Sequence, residues 1–242
     1  MKKSILLLVI SVFSITSSIN AQEKNKLNGN GNVVSETRTT SDYDGIKIAG
    51  SFDVDLVSGK EGKIILKGEE NLLSAIKVEV EDNSLKIYVT NNTQIRPSSG
   101  KKIQITVPFQ KISSIALAGS GNIESKDVIK TDNFSVKLAS SGSFSLPVDT
   151  KSLELNVSGS GNIHLKGKTD HFTTNLSGSG DIDASDLKSK IVEARVAGSG
   201  NSKVNCNESL TARVSGSGNI KYAGNPEKKD VKVSGSGTIS KV

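Results

Sequence analysis

The stretch Val157-Ser158-Gly159-Ser160-Gly161-Asn162-Ile163 decides the fold, because variants of its central phrase recur along the second half of the chain. The seven copies of the phrase are Gly119-Ser-Gly-Asn, Ser140-Ser-Gly-Ser, Gly159-Ser-Gly-Asn, Gly178-Ser-Gly-Asp, Gly198-Ser-Gly-Asn, Gly216-Ser-Gly-Asn and Gly235-Ser-Gly-Thr. Their starting positions lie 18 to 21 residues apart. A near-constant period of this size is typical of a solenoid, in which each repeat forms one coil stacked on the previous one.

Apolar residues alternate with polar ones on both sides of the phrase. In the central copy, Leu155 and Val157 precede the phrase, and Ile163 and Leu165 follow it. An apolar period of two indicates a strand with one buried face, whereas a helix would need spacings of three and four. The sequence therefore predicts an all-β fold, a single-stranded right-handed parallel β-helix (β-solenoid) with coils of about 19 residues. The right hand is expected because parallel crossovers almost always have it.

The phrase itself predicts a tight corner between two strands of one coil. Glycine has no side chain, so it permits unusual backbone angles and allows successive coils to stack closely. The expected structural turn residues are Gly121, Gly161, Gly180, Gly200, Gly218 and Gly237. One position further on, side-chain amides and a carboxylate occupy one column, where they could form a ladder. This column consists of Asn122, Asn162, Asp181, Asn201 and Asn219.

The chain divides into four segments. Residues 1–21 have the positive start and short apolar run of a signal peptide, which predicts export to the periplasm, the cell surface or the medium. Residues 22–32 are polar and are expected to form a flexible leader. The β-helix is expected over residues 33–242, with longer irregular N-terminal coils at 33–112 and the regular Gly-Ser-Gly repeats at 113–242.

Composition argues against several functional classes. Aromatic residues make up 4% of the chain and Trp is absent, while the net charge of +6 is spread along the chain without a basic block, so no nucleic-acid partner is expected. The apolar run near the N-terminus is too short to span a bilayer, so the chain is not expected to be an integral membrane protein. Only two histidines and one cysteine are present, so no metal site and no cofactor are expected.

Alternation places two groups of chemically versatile residues on outer surfaces. His164, Asp181 and Asp183 are expected to share one outer patch, from which an acid/base pair could be drawn. The alternative for this patch is a solvated face with mild ladders of opposite charge. Calcium at Asp181 and Asp183 is disfavoured, because the corresponding positions of neighbouring coils do not repeat the aspartates.

Three basic residues are expected to form a second outer feature. Arg195, Arg213 and Lys232 stand three positions before successive copies of the phrase, so they should form one stripe on a face of small residues. Such a stripe could contact an anionic polysaccharide or lipid phosphates, or it could serve only solubility. We assign no catalytic residue from the sequence.

The N-terminal half carries a resemblance to a known family. The segments Tyr43-Asp-Gly-Ile46, Gly50-Ser-Phe-Asp-Val54, Glu69-Glu-Asn-Leu-Leu73 and Asn83-Ser-Leu-Lys-Ile87 precede the repeated Gly-Ser-Gly-Asn-Ile. Together they resemble the putative auto-transporter adhesin, head GIN domain family (DUF2807) of Bacteroidetes-type bacteria, over roughly Tyr43 to Val242. The resemblance implies a right-handed β-helix in the periplasm or on the cell exterior, and it brings no defined ligand or catalytic residues with it.

These observations lead to one leading hypothesis and two alternatives. The leading hypothesis is an exported, non-enzymatic β-helix scaffold that binds a glycan or a surface protein in the manner of an adhesin. The first alternative is a polysaccharide-active lyase or hydrolase that uses His164, Asp181 and Asp183. The second is a purely structural envelope protein that forms oligomers through its coil ends.

Overall fold

The computed structural model describes residues 25–242, so the predicted signal peptide lies outside the described residues. The elements, in chain order, are β1 (Asn25–Asn28), β2 (Val33–Thr39), β3 (Gly45–Ala49), β4 (Asp53–Ser58), β5 (Lys63–Glu69), α1 (Glu70–Leu73), β6 (Ile76–Glu81), β7 (Ser84–Val89), β8 (Thr93–Arg96), β9 (Gln104–Phe109), β10 (Ser114–Ala118), β11 (Asn122–Ser125), β12 (Ile129–Ser140), β13 (Ser143–Gly159), β14 (Asn162–Gly178), β15 (Asp181–Gly198), β16 (Asn201–Gly216), β17 (Asn219–Ala223), β18 (Lys228–Ser234) and β19 (Thr238–Lys241). The chain is almost entirely β structure and forms a solenoid of about seven turns, which confirms the predicted fold class.

From β10 onward, each coil pairs in parallel with the next coil, and the register is continuous except for shifts between His164 and Lys166, between Ala184 and Lys188 and between Ser189 and Ile191. Ile163 in β14 lies beside Phe144 of the preceding coil and Ile182 of the following coil. Val157 lies beside Leu138 and Leu176 in the same way. The repeated apolar residues therefore form columns that run along the solenoid.

These inward columns are the hydrophobic core. Leu155 and Leu165 are 0% exposed, and Val157 and Ile163 are 2% exposed. The alternation of two seen in the sequence therefore separates core from surface in each coil. Burial of these side chains is the main favourable contribution to folding, as in any hydrophobic core.

The N-terminal region does not stack in the order of the chain. β3 pairs with β10 on one side and with β7 on the other, and β4 likewise lies between β11 and β9. The segment from β5 to β9 thus lies beyond the coil formed by β3 and β4, at the end of the solenoid. The chain then returns at β10 to the side of that coil that faces the regular repeats. The outer end is covered by antiparallel pairs, in which β5 joins β2 and β9, and β6 joins β7. This cap protects the core at one end of the solenoid.

Part of the segment predicted to be a flexible leader is a strand. β1 pairs in parallel with β8, and the carboxylate of Glu69 holds the residues that follow β1. It accepts hydrogen bonds from Gly31 N at 2.6 Å and from Ser98 N at 2.8 Å. Residues 25–28 therefore form a strand because of partners far along the chain, and local composition does not reveal these partners.

The opposite end of the solenoid carries charge in an inward column. Lys229 in β18 lies in register with the buried Leu210 of the preceding coil. Val231 and Val233 of β18 are 49% and 40% exposed. A charged residue at an inward position of an outermost strand discourages pairing with another chain.

Candidate functional site

The phrase corner brings the backbones of successive coils unusually close together. The predicted turn glycines Gly121, Gly161, Gly180, Gly200 and Gly218 are buried at this corner. A Cβ atom placed on Gly200 would lie 2.4 Å from the carbonyl oxygen of Gly180. At the spacing set by the parallel pairing of the coils, the corner therefore has no room for a side chain, and the same spacing separates the polar side chains that follow each phrase. The sixth predicted turn glycine, Gly237, stands at the same corner in the final coil, where its Cβ would lie 2.0 Å from the carbonyl oxygen of Gly218.

The outward residues directly after the phrase form what we call the second face, namely residues 162, 164, 181, 183, 201, 203, 219 and 221. The first column of this face is a hydrogen-bonded ladder. Asn201 Nδ2 donates to Asp181 Oδ1 at 2.9 Å, and Asn219 Nδ2 donates to Asn201 Oδ1 at 2.9 Å. Near the other end of the solenoid, Asn122 Nδ2 donates to Asp53 Oδ1 at 2.7 Å. The predicted ladder is confirmed at these positions, and it holds the amide and carboxylate groups in fixed orientations.

The second column of this face contains His164, Asp183 and Lys203 on successive coils. Asp183 Oδ1 accepts a hydrogen bond from Ser185 Oγ at 2.5 Å, and Asp183 Oδ2 lies 3.3 Å from Lys203 Nζ. Partial burial by itself raises the pKa of Asp183, but the hydrogen bonds from Ser185 and Lys203 outweigh it and hold the pKa below its ordinary value. Asp183 is therefore a carboxylate at neutral pH.

The two columns border a depression of about 650 Å³, which we call the second-face groove. It brings together His164, Asp181 and Asp183, the three residues that the sequence placed on one patch. The lining residues are Ser143, Phe144, Asn162, Ile163, His164, Asp181, Ile182, Asp183, Asn201, Ser202, Lys203, Asn219 and Lys221. Polar side chains that can donate and accept hydrogen bonds therefore line the groove, whereas the side chains of Phe144, Ile163 and Ile182 are buried in the core, each 2% exposed.

The basic stripe lies elsewhere, on the outward surface of the strands before the phrase, which we call the first face. Arg195, Arg213 and Lys232 occupy one column and line a separate depression of about 390 Å³. Arg195 pairs with Glu193 at 3.2 Å, and Arg213 pairs with Asp230. The hydrogen bond from Arg213 holds the pKa of Asp230 below its ordinary value. Two of the three predicted cations are thus already engaged by carboxylates.

A third surface was missed by the sequence analysis. It is a trough of about 710 Å³ at the corner where one coil turns into the next, and we call it the lysine trough. Its lining residues are Lys111, Lys130, Thr131, Asp132, Asp149, Thr150, Lys151, Lys168, Thr169, Asp170, Lys188, Ser189, Lys190 and Asn207. A signal existed in the sequence, since the tripeptides Lys130-Thr-Asp132, Asp149-Thr-Lys151, Lys168-Thr-Asp170 and Lys188-Ser-Lys190 recur at the period of the solenoid.

Within residues 25–242, no cluster of three or more His, Cys, Asp or Glu side chains is arranged to hold a metal ion. No helix within the same residues is long and apolar enough to cross a membrane.

Comparison with known proteins identifies one family. The model of the putative auto-transporter adhesin, head GIN domain (DUF2807) matches residues 42–226. No match is found among curated proteins. A crystal structure of a putative lipid binding protein from Parabacteroides distasonis is 30% identical with a TM-score of 0.76, and the match covers 90% of this chain and 100% of that chain.

More distant solved structures share the fold. A putative adhesin from Bacteroides fragilis superposes with a TM-score of 0.83 at 23% identity, covering 89% of this chain and 100% of that chain. A putative adhesin from Parabacteroides merdae has a TM-score of 0.73 at 24% identity, covering 90% of this chain and 99% of that chain. At these identities the likeness shows the fold alone.

Proposed function

The chain belongs to the putative auto-transporter adhesin, head GIN domain family, and from that premise we propose that it is a non-enzymatic adhesin-like scaffold whose second-face groove binds a glycan. The observation that carries the proposal is the ladder of Asp181, Asn201 and Asn219 along one wall of the groove. Amide and carboxylate groups offer donors and acceptors side by side, which suits a partner rich in hydroxyl groups.

The ladder also supports binding through its rigidity. Each side chain in it already has a fixed orientation, because it bonds to its neighbour on the next coil. A preorganised surface loses little side-chain entropy when a ligand arrives, so more of the interaction energy remains as affinity. The columns repeat at about 4.8 Å per coil, which favours an extended ligand over a compact one.

The state of Asp183 suits it to ligand binding and makes it unsuited to the general-acid step of glycoside cleavage. A glycosidase of the usual kind needs one carboxylic acid that keeps its proton near neutral pH, through a raised pKa. The pKa of Asp183 is shifted in the opposite direction by Ser185 and Lys203. Asp183 is therefore suited to accept hydrogen bonds from hydroxyl groups and unsuited to act as a general acid.

An exported location is part of the same proposal. The adhesin-like family indicates an extracellular or surface protein. The apolar run within residues 1–21 supports export by a signal peptide, and the periplasm and the outer cell surface are both consistent with it. Location can be tested by protease accessibility of the protein on intact cells compared with lysed cells.

The test of the binding site uses a matched pair of double variants. Asn162→Ala with His164→Ala removes two polar groups from the groove, whereas Asn133→Ala with His171→Ala removes the same groups from exposed positions outside it. Binding to an array of neutral and acidic glycans, followed by titration of the best ligand, measures both. Loss of two hydrogen bonds predicts affinity at least about tenfold weaker for the groove variant only.

Two outcomes would contradict the proposal. Equal affinities for the two double variants would place the ligand outside the second-face groove. Binding to lipid vesicles with no binding to any glycan would assign this chain the chemistry named for its relative from Parabacteroides distasonis.

A further inference from the structure

We propose that the lysine trough is a second, independent binding surface, which takes a single extended chain of an acidic polysaccharide of the polyuronate type. The inference does not rest on the second-face groove, which lies on a different surface and is lined by different residues. It rests on the charge, the shape and the mixed polar chemistry of the trough.

The trough has an excess of positive charge. Six lysines and three aspartates line it. Three of the lysines are paired with the aspartates, namely Lys151 with Asp132 at 3.0 Å, Lys168 with Asp149 at 3.3 Å and Lys190 with Asp170 at 2.7 Å. Within residues 25–242, the other three lysines of the trough, Lys111, Lys130 and Lys188, form no ion pair. A surface with unpaired cations along it attracts and retains a polyanion.

The unpaired lysines are arranged along the axis of the solenoid. Lys130 and Lys188 belong to one column, with Asp149 and Lys168 on the two coils between them. Three coil steps separate them by about 14 Å. Lys111 stands one coil further along the same corner. The trough is therefore long and narrow, which fits one extended chain better than a compact ligand.

Hydroxyl groups lie between this column and a second column of charge, which consists of Asp132, Lys151, Asp170 and Lys190. Thr150 Oγ1 donates to Thr169 Oγ1 at 3.0 Å, and both residues are buried at the floor of the trough. Ammonium groups along the walls can bind carboxylates, while Asp132, Asp149 and Asp170 can accept hydrogen bonds from sugar hydroxyls. A polymer that carries both carboxylates and hydroxyls matches this mixture.

Other polyanions fit the trough less well. Single-stranded nucleic acids are bound by aromatic side chains on which the bases stack, and none of the residues lining the trough is aromatic. A membrane presents a broad surface, whereas these groups lie in a depression between two columns of long side chains.

The experiment compares two variants that each remove two unpaired positive charges. Lys130→Gln with Lys188→Gln changes the trough, and Lys77→Gln with Lys137→Gln changes exposed positions in the N-terminal cap and on the first face. None of the four lysines takes part in an ion pair within residues 25–242, so neither variant removes a contact that holds the coils together. The probes are alginate oligomers, neutral dextran oligomers of equal length, single-stranded DNA and vesicles containing anionic lipid, each titrated at low and high salt.

The proposal predicts saturable, salt-sensitive binding of alginate oligomers and no binding of dextran at the trough. The trough variant should bind alginate roughly tenfold more weakly than the wild type. The control variant should bind alginate within about twofold of the wild type, since an exposed charge outside the binding surface contributes only modestly. Equal weakening in both variants would overturn the proposal, because charge alone would then explain the binding. Absence of alginate binding, or tighter binding of DNA or vesicles than of alginate, would also overturn it.

Discussion

Replacement of Gly198 by alanine tests whether the phrase corner requires glycine at the spacing of the stacked coils. Gly198 has φ +120°, a backbone conformation that residues with a side chain rarely adopt. A Cβ atom at this position would also lie 2.5 Å from the carbonyl oxygen of Gly178 on the preceding coil. An alanine at Gly200 would meet the same kind of steric clash without the backbone strain. Its Cβ would lie 2.4 Å from Gly180 O, but the φ of Gly200 is not in the positive region.

The two substitutions should therefore lower the free energy of unfolding by different amounts. Forcing a methyl group against a backbone atom costs about 2 kcal/mol, and the unfolded state of the alanine variant is less favoured by about 0.7 kcal/mol. Gly200→Ala should then lower the free energy of unfolding by about 1.3 kcal/mol. The strained backbone adds about 2 kcal/mol at Gly198, so Gly198→Ala should lower it by about 3 kcal/mol.

Ser199 provides the matched control between the two glycines. Its side chain is exposed, so Ser199→Ala should change stability by less than about 0.5 kcal/mol. Guanidinium unfolding followed by far-ultraviolet circular dichroism measures all three variants, since the chain lacks Trp. Equal midpoints for Gly198→Ala, Gly200→Ala and Ser199→Ala would refute the account of the corner as a place where stacked coils leave no room for a side chain.

Three further predictions concern buried polar groups. The hydroxyl of Thr174 is buried and has no hydrogen-bond partner within residues 25–242, so Thr174→Val should stabilise the protein by about 1 kcal/mol in guanidinium unfolding; a lower midpoint would contradict this. Hydrogen bonds from Ser98 and Gly31 hold the pKa of Glu69 below its ordinary 4.5. The charged carboxylate of Glu69 therefore stabilises the folded protein above pH 4.5, and this stabilisation is lost as the pH falls through the lowered pKa. Glu69→Gln should lower the melting temperature at pH 7, and this loss should shrink as the pH falls below 4.5; a loss that stays constant over that range would exclude this role of the charge. Burial raises the pKa of the Cys206 thiol, so a disulfide reagent should label it only as fast as the protein unfolds, and rapid labelling of the native protein would disprove its burial.

The regular half of the fold was predictable because one local rule repeats there. Each glycine phrase marks a corner, and the alternation around residues such as Val157 and Ile163 identifies the core face without knowledge of distant contacts. The same counting brings His164, Asp181 and Asp183 onto one surface, where the structure has them. Register in a parallel stack follows directly from repeat alignment, since equivalent residues lie on top of each other.

The order in which the N-terminal strands stack was not predictable from local pattern. Gly50 stacks against Gly119, although 69 positions separate them, and the strands between fold outward to cover the end. The order of Asn25–Asn28 likewise depends on β8 and on Glu69, which are distant in sequence. Pairings of this kind are set by tertiary contacts, and a single sequence carries no local signal for them.

The lysine trough was missed for a different reason. Its lysines were counted as charge spread evenly along the chain, although stacking collects them at one corner. A register shift between Ala184 and Lys188 also disturbs the period at this position. Alignment on the glycine phrase alone therefore hides the alternation of Lys and Asp that the coils bring together.

The most direct test of a non-enzymatic binding scaffold measures binding and cleavage on the same sample. The wild-type protein is incubated for many hours with the glycan that it binds best, and both the bound fraction and the number of new chain ends are recorded. The account predicts saturable binding to a polymer whose length does not change. New chain ends that form in proportion to the protein, and that disappear with Asp183→Asn, would contradict it and make the second-face groove an active site.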